Sequence, residues 1–164
     1  MPNIPVKILN INASKRALVD DQDAESVGKH KWTVTKSGYA IGYLEKVNRK
    51  SRLILMHRLI MGATKDQMID HINGDKLDNR RKNLRFCTKA QNNRNSKKPH
   101  SNNTSGYKGV FWSKQKRKWL AQIVVDRTQI GLGFFNSKEE ASETYKQASR
   151  KYCGEFSPYN EIQA

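Results

Sequence analysis

Asp70 and His71 are adjacent, a turn signature follows at Asn73-Gly74-Asp75, and a cation-rich run continues through Asp78-Asn79-Arg80-Arg81-Lys82-Asn83-Leu84-Arg85, with Asn92 and Asn93 beyond it. Hydrolysis of a phosphodiester needs a deprotonated water, a neutralised phosphate and a stabilised leaving oxygen. A single hard cation serves the last two. Mg²⁺ keeps several waters and takes one or two protein oxygens. Asp70 offers a carboxylate oxygen and Asn92 an amide oxygen. His71 titrates near neutral pH and can accept the proton of the attacking water. The competing reading of the same residues is a polar turn on a basic protein.

Neighbours on a strand point to opposite faces, so Asp70 and His71 share a pocket only if the strand ends or twists at His71. Met68 to His71 reads as a short strand, Gly74 as a residue free to take positive φ, and Leu84 to Cys87 as the return strand. Asn83 is placed to brace the intervening loop through its backbone. Thr88 is a candidate N-cap for a helix through Asn95. Upstream, Val6 to Ile11 and Arg16 to Val19 are strand-like, and Asp20 to Lys29 opens acidic, as a short helix does. Trp32 and Val34, then Tyr39, Ile41 and Tyr43, alternate around a Lys36-Ser37-Gly38 turn, which is a hairpin signal. Arg49 to Arg52 reads as another turn, and Leu53 to Met56 as a strand leading to His57-Arg58. Ser96 to Ser105 lacks apolar periodicity and reads as a basic linker able to lie on a phosphate backbone.

Downstream of that linker, Tyr107 to Ser113, Lys118 to Asp126 and Gln129 to Phe135 read as three strands, the last two joined by a tight connection at Asp126-Arg127-Thr128. Ser137 and Glu140 form a capping box. Ala141, Tyr145, Ala148 and Tyr152 then recur at helical spacing, and Gly154 follows as a stop. On the middle strand Trp119, Ala121, Ile123 and Val125 share the face expected to pack on the helix. Lys118, Leu120, Gln122 and Val124 then face outward.

The chain has 164 residues, with 31 Lys and Arg against 15 Asp and Glu, a formal charge of +16. That balance attracts polyanions. A hydrophobic content of 36% is low for one large core and favours several small units. No Asp or Glu lies between Asp78 and Asp126, and an acid-free basic interval with interspersed aromatics reads as a nucleic-acid footprint. No apolar run approaches a membrane span, and residues 1–10 lack a secretory pattern, so no membrane partner and a cytoplasmic location are expected. Cys87 and Cys153 do not form a Cys-x-x-Cys pair and are expected as ordinary semi-buried thiols. His30 and His100 are expected to face solvent, and Asp75 and Asp78 to be turn carboxylates.

His57 to Asn95 resembles the HNH homing-type endonuclease module, the ββα-metal fold. The match runs through Asp70-His71 in Asp-His-Ile-Asn-Gly, Asn79 in Asp-Asn-Arg, Asn83 in Lys-Asn-Leu-Arg, and Asn92 in the closing helix. The resemblance implies His71 as general base, Asn83 as the Asn that orders the loop, and Asp70 and Asn92 as ligands of one divalent metal, Mg²⁺ with Mn²⁺ as the alternative. The chain ends the motif in Asn where other members have His. His57 recurs before the motif in that family and is taken as structural or phosphate-facing. The implied products are a 5′-phosphate and a 3′-hydroxyl. The implied setting is a phage- or intron-encoded protein in a bacterial host cell, nicking double-stranded DNA as a monomer rather than a dimer.

Gly106 to Asn160 resembles the Apetala2/ethylene-response-factor DNA-binding domain. The resemblance lies in Tyr107-Lys108-Gly109-Val110, Lys118-Trp119-Leu120-Ala121-Gln122-Ile123, Leu132-Gly133-Phe134-Phe135, and Glu139-Glu140-Ala141 with Ala148. It implies a three-stranded sheet in the major groove, with Lys108, Phe111, Lys118, Gln122 and Gln129 at contact positions. Phe111, Val124 and Gly131 depart from that family's pattern, so its base preference does not carry over, and Lys108 and Lys118 are read as phosphate contacts. Arg58, Arg80, Arg81, Arg85, Arg94, Lys97 and Lys98 complete the expected DNA-binding set. The expected architecture is α+β. An antiparallel β-region at 1–56 also contacts DNA. The ββα-metal module follows at 57–95 and the linker at 96–105. A three-stranded antiparallel sheet on one helix occupies 106–160. The second reading is a non-catalytic DNA-binding regulator on a vestigial HNH scaffold. A structural RNA-binding protein comes third, since no RNA-binding aromatic motif is seen.

Overall fold

The computed structural model describes residues 6–11, 14–47, 50–99 and 101–160. His100 and Arg49 lie outside them. The chain forms two compact units, Met1–Asn92 and Asn93–Ala164.

The first unit opens with an antiparallel pair, β1 (Val6–Asn10) and β2 (Arg16–Asp20), followed by α1 (Asp21–Gly28). A meander of β3 (Trp32–Val34), β4 (Ala40–Val47) and β5 (Lys50–Leu55) comes next. The β3–β4 turn closes as expected: the Thr35 hydroxyl accepts from the Tyr39 N–H, and Gly38 takes φ +93°. Lys50 to Arg52, expected within a turn, belong to β5. Met56, expected as the end of a strand, starts a five-residue helix, α2 (Met56–Ile60), which carries His57. Five residues give too little periodicity to separate a helix from a strand by pattern. The hairpin β6 (Met68–His71) and β7 (Leu84–Cys87) leads into α3 (Lys89–Asn95), and the division between units falls within α3. The N-terminal β-region and the hairpin, expected as separate stretches at 1–56 and 57–95, share one core that joins Ala17, Val19 and Val27 to Met56, Ile60, Ile69 and Leu84.

In the second unit β8 (Val110–Ser113), β9 (Lys118–Val125) and β10 (Thr128–Phe135) form an antiparallel sheet of order β10-β9-β8, packed on α4 (Lys138–Cys153). The β9–β10 turn places both Asp126 and Arg127 at positive φ (47° and 69°), the conformation that matches strand twist in tight hairpins. Ser137 caps α4 by accepting from the Glu140 N–H at 3.1 Å. Ala121 and Ile123 are buried against Ala141, Tyr145 and Ala148, the expected inward face. Tyr152, expected on that face, is exposed; the half-buried Cys153 packs against the cluster instead. The first strand begins at Val110 rather than Tyr107, because Gly109 takes φ +74° with its Cα against the Tyr145 ring. The end of the expected linker is built into this unit. The Asn103 amide donates to the carbonyls of Tyr107 and Val110, and the buried Ser105 hydroxyl donates to Val110. No helix among the described residues is long and apolar enough to cross a membrane.

Candidate active site

β6 and β7 pair in register, with Asp70 opposite Arg85 and His71 opposite Leu84. β6 ends at His71, where the Gly74 N–H bonds back to the His71 carbonyl at 2.9 Å, and the Asp70 carboxylate stays close enough to act on the His71 imidazole. Both side chains are buried, at 6% and 4% exposure.

On the His71 side the imidazole meets the ring of His57 edge-on at 5.1 Å between centroids and that of Tyr39 at 6.0 Å. Its Nε2 lies 3.3 Å from the Asn79 amide oxygen. The Asn79 amide nitrogen donates to Leu77, which orients the group so that its oxygen faces the imidazole. An amide oxygen only accepts, so this contact favours the tautomer with the proton on Nε2. Burial lowers the His71 pKa, against the opposing influence of Asn79, Asp70, Asp75 and Asp78, which favours a neutral imidazole at physiological pH. Burial, with the charges of His71 and Arg58, brings His57 down to about 4.

On the Asp70 side, Arg85 donates from Nε and a terminal nitrogen to Asp70 Oδ2 at 3.1 and 2.8 Å, and the pair is almost fully enclosed. The loop between the strands is closed by Asn83. Its amide oxygen accepts from the Asn73 N–H at 2.9 Å, and its amide nitrogen donates to the Asn73 side chain and the Asp78 carbonyl. Strand β2 grips the same loop: Leu18 donates to Leu77 and accepts from Asn79. Asn92 is half-buried on α3, whose start is fixed by reciprocal bonds between Thr88 and Gln91.

The donor chemistry of Asp70 and Asn92 fits a hard divalent ion. Both are oxygen donors, and Asp70 already holds a cationic group against its carboxylate. Among the described residues no three His, Cys, Asp or Glu side chains gather around a common point. A metal here would be of the kind that keeps most of its waters.

Several expected DNA-binding cations have partners inside the protein. Arg80 grips Asp78 through two bonds of 2.7 and 2.6 Å, and Arg81 grips Asp23 at 2.8 and 2.7 Å. Arg58 donates to the carbonyls of Gln67 and Thr64, and Arg85 holds Asp70. In the second unit Arg94 pairs with Asp126, and Lys108 donates to the carbonyls of Asn93, Arg94 and Ser96, where burial lowers its pKa. Lys97, Lys98, Lys118 and Gln129 are exposed, and Phe111 and Gln122 half-buried. The signal for Asn79 was its place between Asp78 and Arg80, eight residues after His71; Tyr39 carries no such signal in the sequence.

A family model described as HNH endonuclease matches residues 55–94. The chain is 33% identical over 95 residues to Protein 3.8 of Escherichia phage T7, covering 58% of this chain and 77% of that one. It is 29% identical over 136 residues to an uncharacterized HNH endonuclease of Acanthamoeba polyphaga mimivirus, covering 83% and 70% of the two chains. A stretch of 54 residues, 33% of this chain and 15% of the relative, is 44% identical to an AP2/ERF and B3 domain-containing transcription factor of Arabidopsis thaliana. Among solved structures, the HNH homing endonuclease I-HmuI aligns over 84% of this chain and 82% of its own at 20% identity, with a TM-score of 0.38, a similarity too low to argue from.

Proposed function

We propose that this chain, which belongs to the HNH endonucleases and carries their domain at residues 55–94, is a metal-dependent homing-type endonuclease that nicks double-stranded DNA as a monomer. The observation that carries the reading is the seat of His71: the Asn79 amide oxygen orients its Nε2, and burial favours a neutral imidazole able to take a proton. In this reading His71 takes the proton of the attacking water, and Asn83 holds the loop that presents it. Asp70 and Asn92 hold Mg²⁺, with Mn²⁺ as the alternative. The metal, when bound, supplies charge to the phosphate and to the leaving 3′-oxygen. The products are a 5′-phosphate and a 3′-hydroxyl. The residues beyond the HNH domain choose the site, and the setting is the cytoplasm of a bacterial host, the gene belonging to a phage or an intron.

Supercoiled plasmid incubated with the protein and Mg²⁺ or Mn²⁺ should relax to the open circle. His71→Ala should abolish relaxation while leaving the gel shift of the same DNA intact. Equal relaxation by both proteins would remove His71 from the chemistry. The second reading, a non-catalytic DNA-binding regulator, is favoured by the Asp70–Arg85 pair, since a guanidinium already neutralises the carboxylate a metal would need. Wild type that shifts DNA but never relaxes it, on plasmids carrying the DNA that flanks its gene, would establish that reading.

A further inference from the structure

We propose that the outer face of the β8–β9–β10 sheet reads adenine·thymine pairs in the major groove, through the coupled amides of Gln122 and Gln129 and an apolar row across all three strands. The proposal rests on the reading that the second unit docks on DNA.

Two features of the face carry it. Gln129 donates from Nε2 to Gln122 Oε1 at 2.8 Å. Among the described residues this leaves the Gln122 amide nitrogen and the second Gln129 N–H as donors, and the Gln129 amide oxygen as an acceptor, on neighbouring strands. Adenine shows the major groove one acceptor, N7, and one donor, the N6 amino group; guanine shows two acceptors. Of the two purines only adenine offers a donor to the Gln129 oxygen; on guanine that oxygen is left unpaired. Beside it, Phe111, Leu120 and Phe134 stand in one cross-strand row, and Val124 lies opposite Gln129. Phe134 and Val124 are 47% and 57% exposed. An apolar row suits the C5-methyl of thymine, which is the partner of adenine. Among the described residues the face carries no Arg, the side chain that forks onto guanine, and no carboxylate.

Charge complementarity points to the duplex as the occupant. Lys118 stands on the face and is exposed, as are Lys114, Lys116 and Arg117 in the β8–β9 turn and Arg127 in the β9–β10 turn. Asp126, the acid of that second turn, is tied to Arg94.

The test uses the full chain in EDTA, so that binding is read without cutting. It compares duplexes of equal length made of alternating A·T or alternating G·C pairs, and an A·T duplex with uracil in place of thymine. We expect the A·T duplex to bind roughly ten-fold more tightly than the G·C duplex, and uracil to weaken it several-fold through the lost methyls. Gln122→Ala should erase the preference for adenine, and Phe134→Ala the response to uracil. Equal affinity for all three duplexes overturns the proposal. So does selection unchanged in both variants, which would assign the face to another partner. Indifferent binding together with plasmid relaxation leaves the nuclease reading standing and removes this one. Failure to bind any duplex removes both. The uracil comparison uses the wild type and decides the question even where a variant fails to fold.

Discussion

Asp70 holds a guanidinium where the proposed hydrolysis would place a metal ion, and the proposed chemistry turns on that exchange. An enclosed carboxylate left without its partner is destabilised by about 3–5 kcal/mol, so Arg85→Met should lower the melting temperature of the metal-free protein. If the ion and Arg85 compete for Asp70, adding Mn²⁺ should raise that temperature more in the variant than in the wild type. Equal increments in a thermal-shift titration would mean that metal binds elsewhere or not at all. The imidazoles of the site are governed by proton linkage. His57 is buried, with Nδ1 lacking a hydrogen-bond partner among the described residues, and its pKa stands at about 4 against 6.5 in the unfolded chain. The unfolded state therefore takes up the proton first as pH falls. Stability contributed by neutral His57 is complete above 6.5 and is lost progressively from there down to about 4, a total of about 3 kcal/mol. Chemical denaturation across that interval should show this decline. His57→Gln should flatten it without abolishing it, since His71 is shifted in the same sense. A wild-type stability independent of pH between 4 and 6.5 would show that His57 is already accessible to protons.

At the scale of elements, the hairpin β6–β7 was legible because each of its parts has a local cause. Gly74 reaches φ +78° in the loop, β6 ends at His71, and Asn83 bonds the loop backbone as its position predicted. What holds the hairpin in place was not legible, because its partners are remote in sequence. Asp20 and Asp23, on either side of the start of α1, accept from Arg81 about sixty residues later. Tyr39 reaches the imidazoles from the β3–β4 turn. In the second unit the late start of the first strand has a single physical origin. Gly109 sits at φ +74°, and a Cβ there would lie 2.1 Å from the Tyr145 ring and 2.7 Å from the Gln122 carbonyl. Neither backbone nor ring can yield by so much without moving α4 off the sheet. Gly109→Ala should therefore destabilise this unit by more than about 2 kcal/mol, combining overpacking with strain at positive φ. Gly131→Ala, where a Cβ meets nothing within 4 Å, is the control expected to stay close to wild type. Equal denaturation midpoints for the two variants would mean that α4 does not press on Gly109 in solution.

The charge of the whole molecule divides into two populations that the sequence lists as one. The excess of 31 cations over 15 anions predicts attraction to a polyanion. A count of signs does not say which arginines face an acid once the chain folds. Arg80 and Arg81 spend their charge on Asp78 and Asp23, carboxylates that are almost wholly enclosed. Lys97 and Lys98 stand exposed within the acid-free interval. Each phosphate neutralised releases counterions and contributes about 0.9 to the slope of log affinity against log salt on duplex DNA. Lys97→Ala and Lys98→Ala should each lower that slope by about 1 at unchanged thermal stability. Arg80→Ala should do the reverse, destabilising the fold by about 3 kcal/mol through the stranded Asp78 carboxylate while leaving the slope as it was. Binding titrations of the three variants over a range of salt, paired with thermal melts, separate the two populations. A slope that falls with Arg80 and not with the lysines would mean that the Arg80–Asp78 pair opens onto DNA and that the phosphate-binding surface runs along the β6–β7 loop instead.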